Sequence, residues 1–329
     1  MTRRVGPEHE PHRRPTIVVT GPTAGGKTQR ALRLSRHFSV PVLSLDSMKV
    51  YRGMNIGAAK PPTDLASHYR LIDIRDPGEP FSVGDYLREL GGLLPELGDP
   101  LLLSGGTAFY LNALLEGIHP GPSPDAELRA RLEAEAAAEG TLALHRRLVA
   151  VDPEAAAKIH TTDLRRIVRA LEVYELWGEP ISEVQRRKRP FFEPSGVRLI
   201  GVARDREELY ARINARVERM FAAGWVEEVR ALMAANDPPW GPEASQSIGY
   251  RIIREALERG EDPAEERETI QARTRRFARS QLTWFRKMPV EWWRPDEEDA
   301  LVESLERDLE AYRTNGTFPE PDADRLLRL

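Results

Sequence analysis

The chain contains no cysteine. That absence excludes disulfides, thiolate zinc sites and a cysteine nucleophile, and it is compatible with the cytosol. No apolar run approaches the ~20 residues that a membrane span needs. The first residues, Met1 to Arg14, are polar, charged and Pro-containing, without the apolar centre of a signal peptide. Residues 1–14 are therefore expected to be a disordered lead-in. A formal net charge of −4 argues against an all-over polyanion binder, so local basic stretches matter more. No internal repeat is present. With 40% hydrophobic and 30% charged residues over 329 positions, the chain has room for one large globular domain or two smaller ones.

Against these absences stands one motif. Gly21-Pro22-Thr23-Ala24-Gly25-Gly26-Lys27-Thr28 fits the phosphate-loop pattern G-x-x-x-x-G-K-[ST]. The β-branched run Thr16-Ile17-Val18-Val19-Thr20 before it reads as a buried parallel strand. After Lys27, apolar residues at Ala31, Leu34 and Phe38 have helical spacing. Strand, glycine loop and helix in that order let backbone N–H groups turn around phosphate oxygens, and the helix N-terminus adds partial positive charge. Lys27 reaches the terminal phosphates in such a loop and Thr28 holds Mg²⁺. The competing reading is an incidental Gly-rich turn.

Further strands are expected at Val40–Leu45, Leu71–Ile74, Leu101–Leu103 and Val197–Val202, separated by helical patterns. That alternation predicts an α/β fold: a P-loop NTPase-like parallel sheet with helices on both faces. The ligand site of such a sheet lies beyond the carboxyl ends of its strands, where Thr23, Asp46 and Thr107 fall. From Asp125 to about Phe191 the composition turns helical, predicting an all-helical insertion domain. The expected division is 15–122 with 195–314 as the catalytic core, 123–194 as the insertion, and 315–329 as a polar, weakly ordered tail. Long helices are expected from Arg206 to Ala235 and from Pro263 to Lys287.

Kinases, NTP-hydrolysing machines and enzymes with a diphosphate leaving group all use this loop. Leu101-Leu102-Leu103 ends in Ser104-Gly105-Gly106-Thr107, without the acid that a hydrolase usually places there. Asp46 ends the second strand instead. A carboxylate facing bound phosphates is well placed as a general base; the alternative is a cap for the next turn. Thr107 has the alternative reading of a turn residue, and Arg216 that of a solvated helix residue.

Several segments together resemble one family. They are the loop at Gly21–Thr28; Asp46-Ser47 with Val50-Tyr51-Arg52-Gly53-Met54-Asn55-Ile56-Gly57-Ala58-Ala59-Lys60-Pro61; His68 with Leu71-Ile72-Asp73; Gly105-Gly106-Thr107 with Tyr110-Leu111; Asp152-Pro153; Ile159-His160; Arg166 to Glu172; Ser247-Ile248-Gly249-Tyr250; and Gln281-Leu282-Thr283-Trp284-Phe285-Arg286. This pattern, from about Pro15 to Trp293, resembles the tRNA dimethylallyltransferases (tRNA isopentenyltransferases) in their shorter bacterial form. The resemblance implies transfer of a dimethylallyl group from dimethylallyl diphosphate, with Mg²⁺, to N6 of the adenosine immediately 3′ of the anticodon. The substrates are tRNAs reading codons that start with U. It also implies a cytoplasmic monomer without a membrane partner.

The same resemblance assigns roles. Asp46 is the base, Thr23 meets the departing oxygen, and Lys27 and Arg216 clamp the diphosphate in the cradle Gly21, Pro22, Thr23, Ala24, Gly25, Gly26, Lys27 and Thr28. The tRNA anticodon stem-loop is met by Asp46, Ser47, Met48, Lys49 and Thr107, and by Arg129, Arg165, Arg166, Ile167, Val168 and Arg169 in the insertion. Gln246, Ser247, Ile248, Gly249, Tyr250 and Arg251 complete that set. Arg186 to Arg189 and the acid-free stretch Arg273 to Lys287, which includes Arg275, Arg276 and Arg279, add basic surface for RNA. Trp284 and Phe285 within it read as core. The chain departs from the family at Met48-Lys49, where Arg-Gln is commoner beside the target base. It departs again at Thr161-Thr162, where Pro-Asn is usual and Thr can still cap a helix, and at Gly25, where Ser is usual. A small-molecule or nucleoside kinase, an adenylate isopentenyltransferase and a non-catalytic nucleotide-gated RNA-binding protein are the alternatives.

Overall fold

The computed structural model describes residues 10–118, 121–235, 240–241 and 243–326. It divides into two compact units, His12–Asn112 with Phe192–Leu329, and a smaller one largely of Ala113–Phe191. No described helix is long and apolar enough to cross a membrane.

The larger unit starts with β1 (Thr16–Thr20), buried along its whole length, and α1 (Lys27–Phe38). The loop between them turns into the helix at Gly26, whose φ of 112° favours glycine. Then come β2 (Val42–Ser44), β3 (Tyr69–Arg70), α2 (Val83–Leu93), β4 (Leu101–Ser104) and α3 (Ala108–Glu116). Ser82 and Asp85 form a capping box at the start of α2.

The smaller unit holds α4 (Ala126–Glu139), α5 (Thr141–Val151), α6 (Pro153–Lys158), α7 (Leu164–Trp177) and α8 (Ile181–Gln185). Leu132, Leu144, Leu148, Ile167, Leu171 and Val184 form its core. Asp125, Asp152 and Asp163 cap α4, α6 and α7 through their side chains. The cap of α7 is thus Asp163, not Thr161 or Thr162; the Thr162 hydroxyl instead meets His160 Nδ1 at 2.8 Å.

The chain returns through β5 (Val197–Val202), α9 (Arg206–Ala222), α10 (Trp225–Ala235), α11 (Ile248–Glu258), α12 (Arg267–Phe285), β6 (Val290–Trp293), α13 (Glu298–Asn315) and α14 (Ala323–Leu326). The sheet order is β3-β2-β4-β1-β5-β6, and every pair is parallel. Ile17, Val42, Leu102 and Ile200 face a core shared with Leu34 of α1 and Leu301 and Leu305 of α13. Their alternates Val18, Leu43, Leu103 and Leu199 are buried as well, so both faces of the sheet are covered. The central β1 has the early strands on one side and β5 on the other. A ligand cleft forms at such a reversal of strand order.

Several expectations need correction. The third strand is Tyr69–Arg70, not Leu71–Ile74, because Leu71 and Asp73 take left-handed backbone with φ of 63° and 55°. The long helix from Arg206 breaks after Ala222, with Gly224 at a φ of 91° before α10 begins. Pro263–Glu266 is a 3-10 turn, and α12 starts only at Arg267. The last strand, β6, was not expected. Its Glu291 breaks the apolar pattern, yet it is buried and paired with Arg198 of β5, which also meets Asp308. The tail is tied down as far as it is described: Phe318 packs on Tyr312, and Arg325 lies over the Trp293 ring. Of the expected lead, 1–9 lie outside the described residues. Arg14 bonds Asp99 and the carbonyls of Leu94 and Leu97.

Candidate active site

The glycine loop is held by its own Lys27 and by side chains far away in sequence. Lys27 Nζ donates to Gly21 O at 3.0 Å and to Pro22 O at 2.8 Å. Arg212 Nε donates to Ala24 O at 2.9 Å and Arg204 Nε to Gly25 O at 2.6 Å. Thr23 N–H donates to Gln281 Oε1 at 2.9 Å, and Gly25 N–H to Pro22 O at 3.1 Å. Four carbonyls are thereby fastened. The amides of Ala24, Gly26, Lys27 and Thr28 make no backbone hydrogen bond among the described residues. Unspent N–H groups at a helix N-terminus form an anion cradle.

The ends of β2 and β4 press against each other beside this loop. A Cβ on Gly105 would stand 1.8 Å from Leu45 O, so only glycine allows the approach. Asp46 follows Leu45. Its Oδ1 accepts from Met48 N–H at 2.9 Å and Lys49 N–H at 3.3 Å. The turn-capping reading is therefore realised, and it orients the carboxylate without consuming Oδ2. Thr107 Oγ1 accepts from Ser47 N–H at 3.2 Å, linking the turn after β4 to the turn after β2. Tyr86 and Tyr110 stack with ring centroids 4.8 Å apart, close enough to sense the Asp46 charge.

Lys27, Lys49, Lys60 and Arg216 all feel the charge of that acid, and of these Lys60 has its own partner in Asp73. Burial, then the charges of Arg216 and Lys49, pull the Lys27 ammonium down to about 7, against the opposing attraction of Asp46. Burial also lowers Lys49 and Arg216, and Asp46 offsets part of each. No side-chain hydrogen bond supports either charge among the described residues. Enclosed cations that outnumber their anions are destabilised until an anion arrives. A diphosphate is such an anion.

The residues expected to meet RNA divide sharply. Met48 and Lys49 are half-buried at the site. In the smaller unit, Arg165 and Arg166 are exposed, while the Ile167 and Val168 side chains are buried in its core. Arg129 and Arg169 are both bound to the buried Glu172, at 2.8 and 2.6 Å. Around α11, Gly249 is shaped to fit Trp225, and the buried Tyr250 gives its hydroxyl to Glu228, which also accepts from Asn55 and Ile56 N–H. Ile248 remains accessible and lines a groove with Arg273, Arg276, Phe277 and Ser280. Phe285 is core as expected. Trp284 is not: it is 42% exposed under the Lys287 ammonium.

Sequence reasoning assigned no role to Gln281, Arg204 or Arg212, and none to Lys49 as part of the cation set. Gln281 left a signal. It shares the inward face of α12 with Ala278 and Phe285, and a glutamine at a core-facing position needs polar partners.

The family profile described as IPP transferase matches residues 49–288. The chain belongs to this family. A second profile, isopentenyl transferase, matches 16–73 and so includes the glycine loop. Among IPP transferase relatives, the tRNA dimethylallyltransferase of Geobacter sulfurreducens is 45% identical over 282 residues, spanning 84% of this chain and 90% of the relative. That of Chloroflexus aurantiacus is 46% identical over 287 residues, spanning 85% and 96%. The crystal structure of the full-length tRNA isopentenylpyrophosphate transferase from Bacillus halodurans superposes with a TM-score of 0.65 at 32% identity, over 92% of this chain and 99% of that one. A eukaryotic dimethylallyltransferase shares the fold at a TM-score of 0.76 and 22% identity, over 94% of this chain and 81% of that one.

Proposed function

We infer that this IPP transferase moves a dimethylallyl group from dimethylallyl diphosphate to an adenosine N6 in tRNA and releases diphosphate. The observation that carries the reading is the glycine loop with its unspent amides, joined through Gln281, Gly106, Thr107 and Ser47 to the turn that holds the Asp46 carboxylate, with Lys27, Lys49 and Arg216 within electrostatic reach of that acid. The loop amides and the three cations hold the diphosphate. As the C–O bond at the allylic carbon breaks, charge grows on the leaving group, and donors already aimed at it stabilise that change. Thr23 meets the departing oxygen. The exocyclic amine is a weak nucleophile because its lone pair is delocalised. Asp46 Oδ2 takes its proton as the C–N bond forms.

Mg²⁺ fits this site as a companion of the substrate. The ion is held elsewhere by one or two protein groups together with phosphate oxygens and water. No cluster of three carboxylate or histidine groups is present among the described residues, and Thr28 at the start of α1 offers one hydroxyl. When bound, the ion supplies charge neutralisation of the diphosphate. The tRNA partner is read as the anticodon stem-loop, the target as the adenosine immediately 3′ of the anticodon in tRNAs reading U-initial codons, and the chain as a monomer. Arg165 and Arg166, exposed near the start of α7, are read as insertion cations that meet RNA phosphates.

The test is direct. Purified protein, Mg²⁺, dimethylallyl diphosphate and unmodified tRNA are incubated, and the digested RNA is analysed by mass spectrometry. N6-dimethylallyl-adenosine is expected. Asp46→Asn is expected to lower kcat on the order of 10²- to 10⁴-fold, the usual worth of a general base, with diphosphate binding retained. ATP turnover without prenyl diphosphate would sink the reading and favour a kinase.

A further inference from the structure

We propose that Gln281 is a positioning residue that keeps the diphosphate loop and the turn bearing the base in one register. The inference rests on the prenyl-transfer reading. Gln281 is 5% exposed, so both ends of its amide require partners. It finds them on the backbones of two different loops. Oε1 accepts from Thr23 N–H at 2.9 Å, and Nε2 donates to Gly106 O at 2.7 Å. The orientation of the amide is determined, because the Thr23 N–H can only donate and the Gly106 carbonyl can only accept.

The close approach is built in. A Cβ on Gly106 would stand 2.6 Å from Gln281 Nε2 and 3.3 Å from Lys27 Nζ. Gly106 has no positive φ, so the glycine serves this contact and not a special backbone conformation. The next residue, Thr107, accepts from Ser47 N–H, and Ser47 adjoins Asp46. One path of hydrogen bonds and short backbone steps thus runs from Thr23, beside the leaving group, through Gln281 and Gly106, to the base. Displacement at the allylic carbon requires the incoming nitrogen, the carbon and the departing oxygen to lie in line. Gln281 ties together the two backbone segments that place the ends of that line. An aliphatic residue of the same size would preserve packing and lose both bonds. A carboxylate would keep the acceptor and lose the donor.

Gln281→Leu and Gln281→Glu in the full-length protein separate these roles. For Gln281→Leu, kcat is expected to fall on the order of 10²-fold, the cost of a misplacement near 1 Å. Both KM values and the affinity for inorganic pyrophosphate are expected to change little. Gln281→Glu is expected to lose kcat similarly above neutrality and, because its carboxylate lies beside the Lys27 ammonium and the loop, to bind pyrophosphate more weakly as well. Toward acid pH its neutral carboxyl group regains an O–H donor beside its C=O acceptor, so its kcat relative to wild type is expected to climb. Protonation also relieves the desolvation of a buried carboxylate, so the rescue is read as kcat per folded enzyme at saturating substrates, with the folded fraction followed by circular dichroism; a role in packing alone changes the folded fraction and not that kcat. If Gln281→Leu does not fold, the pH profile of Gln281→Glu decides the matter. The proposal is overturned if wild type is active while kcat is unchanged in the variants, if the loss is confined to KM for the prenyl diphosphate, or if Gln281→Glu shows no acid rescue. A wild-type protein that forms no prenylated adenosine under the same conditions refutes the prenyl-transfer reading itself.

Discussion

Affinity for a prenyl diphosphate is expected to weaken steadily as pH rises above neutrality, and Lys27 is the reason. In the free protein its ammonium is pulled down to about 7, chiefly by burial and then by the charges of Arg216 and Lys49. A bound diphosphate supplies opposite charge and favours the protonated form. Below pH 7 the lysine is charged in both states, so binding moves no proton there. Between about 7 and the higher pKa of the complex, the free site is neutral and the bound site charged, so binding takes up a proton. Each pH unit in that window costs about 1.4 kcal/mol, or tenfold in Kd. The free lysine is already half deprotonated at pH 7, so a rise from pH 7 to about 8.5 weakens binding about fifteenfold. Titration calorimetry in two buffers of different ionisation enthalpy measures both the Kd and the proton uptake. The diphosphate is itself fully ionised above pH 7, so the slope belongs to the protein. Lys27→Met is expected to abolish it. A Kd that stays level above neutrality with no proton uptake would show that Lys27 is charged in the free protein, and the reasoning from burial would fail.

Two further predictions concern the scaffold. Glu172→Ala removes the buried carboxylate that binds Arg129 and Arg169, and is expected to destabilise the smaller unit by about 3 kcal/mol in urea unfolding. Burial raises the Glu172 pKa, but hydrogen bonds from Arg129, the Asp125 amide and Arg169 outweigh it and leave the group below the usual carboxylate range. Its contribution is therefore present above that range and lost as pH falls through the depressed value. Gly249→Ala would place a Cβ 1.9 Å from the Trp225 ring, and a loss of about 1–3 kcal/mol with altered tryptophan fluorescence is expected. Gly78→Ala meets nothing within 4 Å and serves as the neutral control.

The parts of the fold legible in the sequence are those where local pattern and burial agree. β1 is apolar and buried throughout, and the glycine loop follows it directly. Leu71 to Ile74 looks like a strand because it is apolar, yet Leu71 and Asp73 have left-handed backbone and Asp73 holds the Lys60 ammonium. β6 escapes notice for the opposite reason: its charged Glu291 is neutralised by Arg198, which a single strand cannot reveal. The site divides in the same way. Asp46 and Lys27 can be read from strand ends and motif spacing. Arg129 and Arg169 cannot be distinguished from free RNA-facing cations until Glu172 is seen between them.

The arrangement also explains why the glycine motif alone could not specify the chemistry. The loop occupies residues 21–28, but the groups that orient it come from the second half of the chain: Arg204, Arg212 and Gln281 bind its backbone, and Arg216 adds charge beside Lys27. A loop read locally says only that phosphate binds. What differs from a simple phosphate cradle is the excess of enclosed cations around a single carboxylate whose Oδ1 is already committed to its own turn. The cations favour a substrate that brings negative charge and leaves with more. The carboxylate, with one oxygen left for a proton, favours a neutral amine as nucleophile. Those two demands meet in a transfer that breaks a carbon–oxygen bond to diphosphate and forms a carbon–nitrogen bond, and neither is visible until the distant helices have brought their side chains to the strand ends.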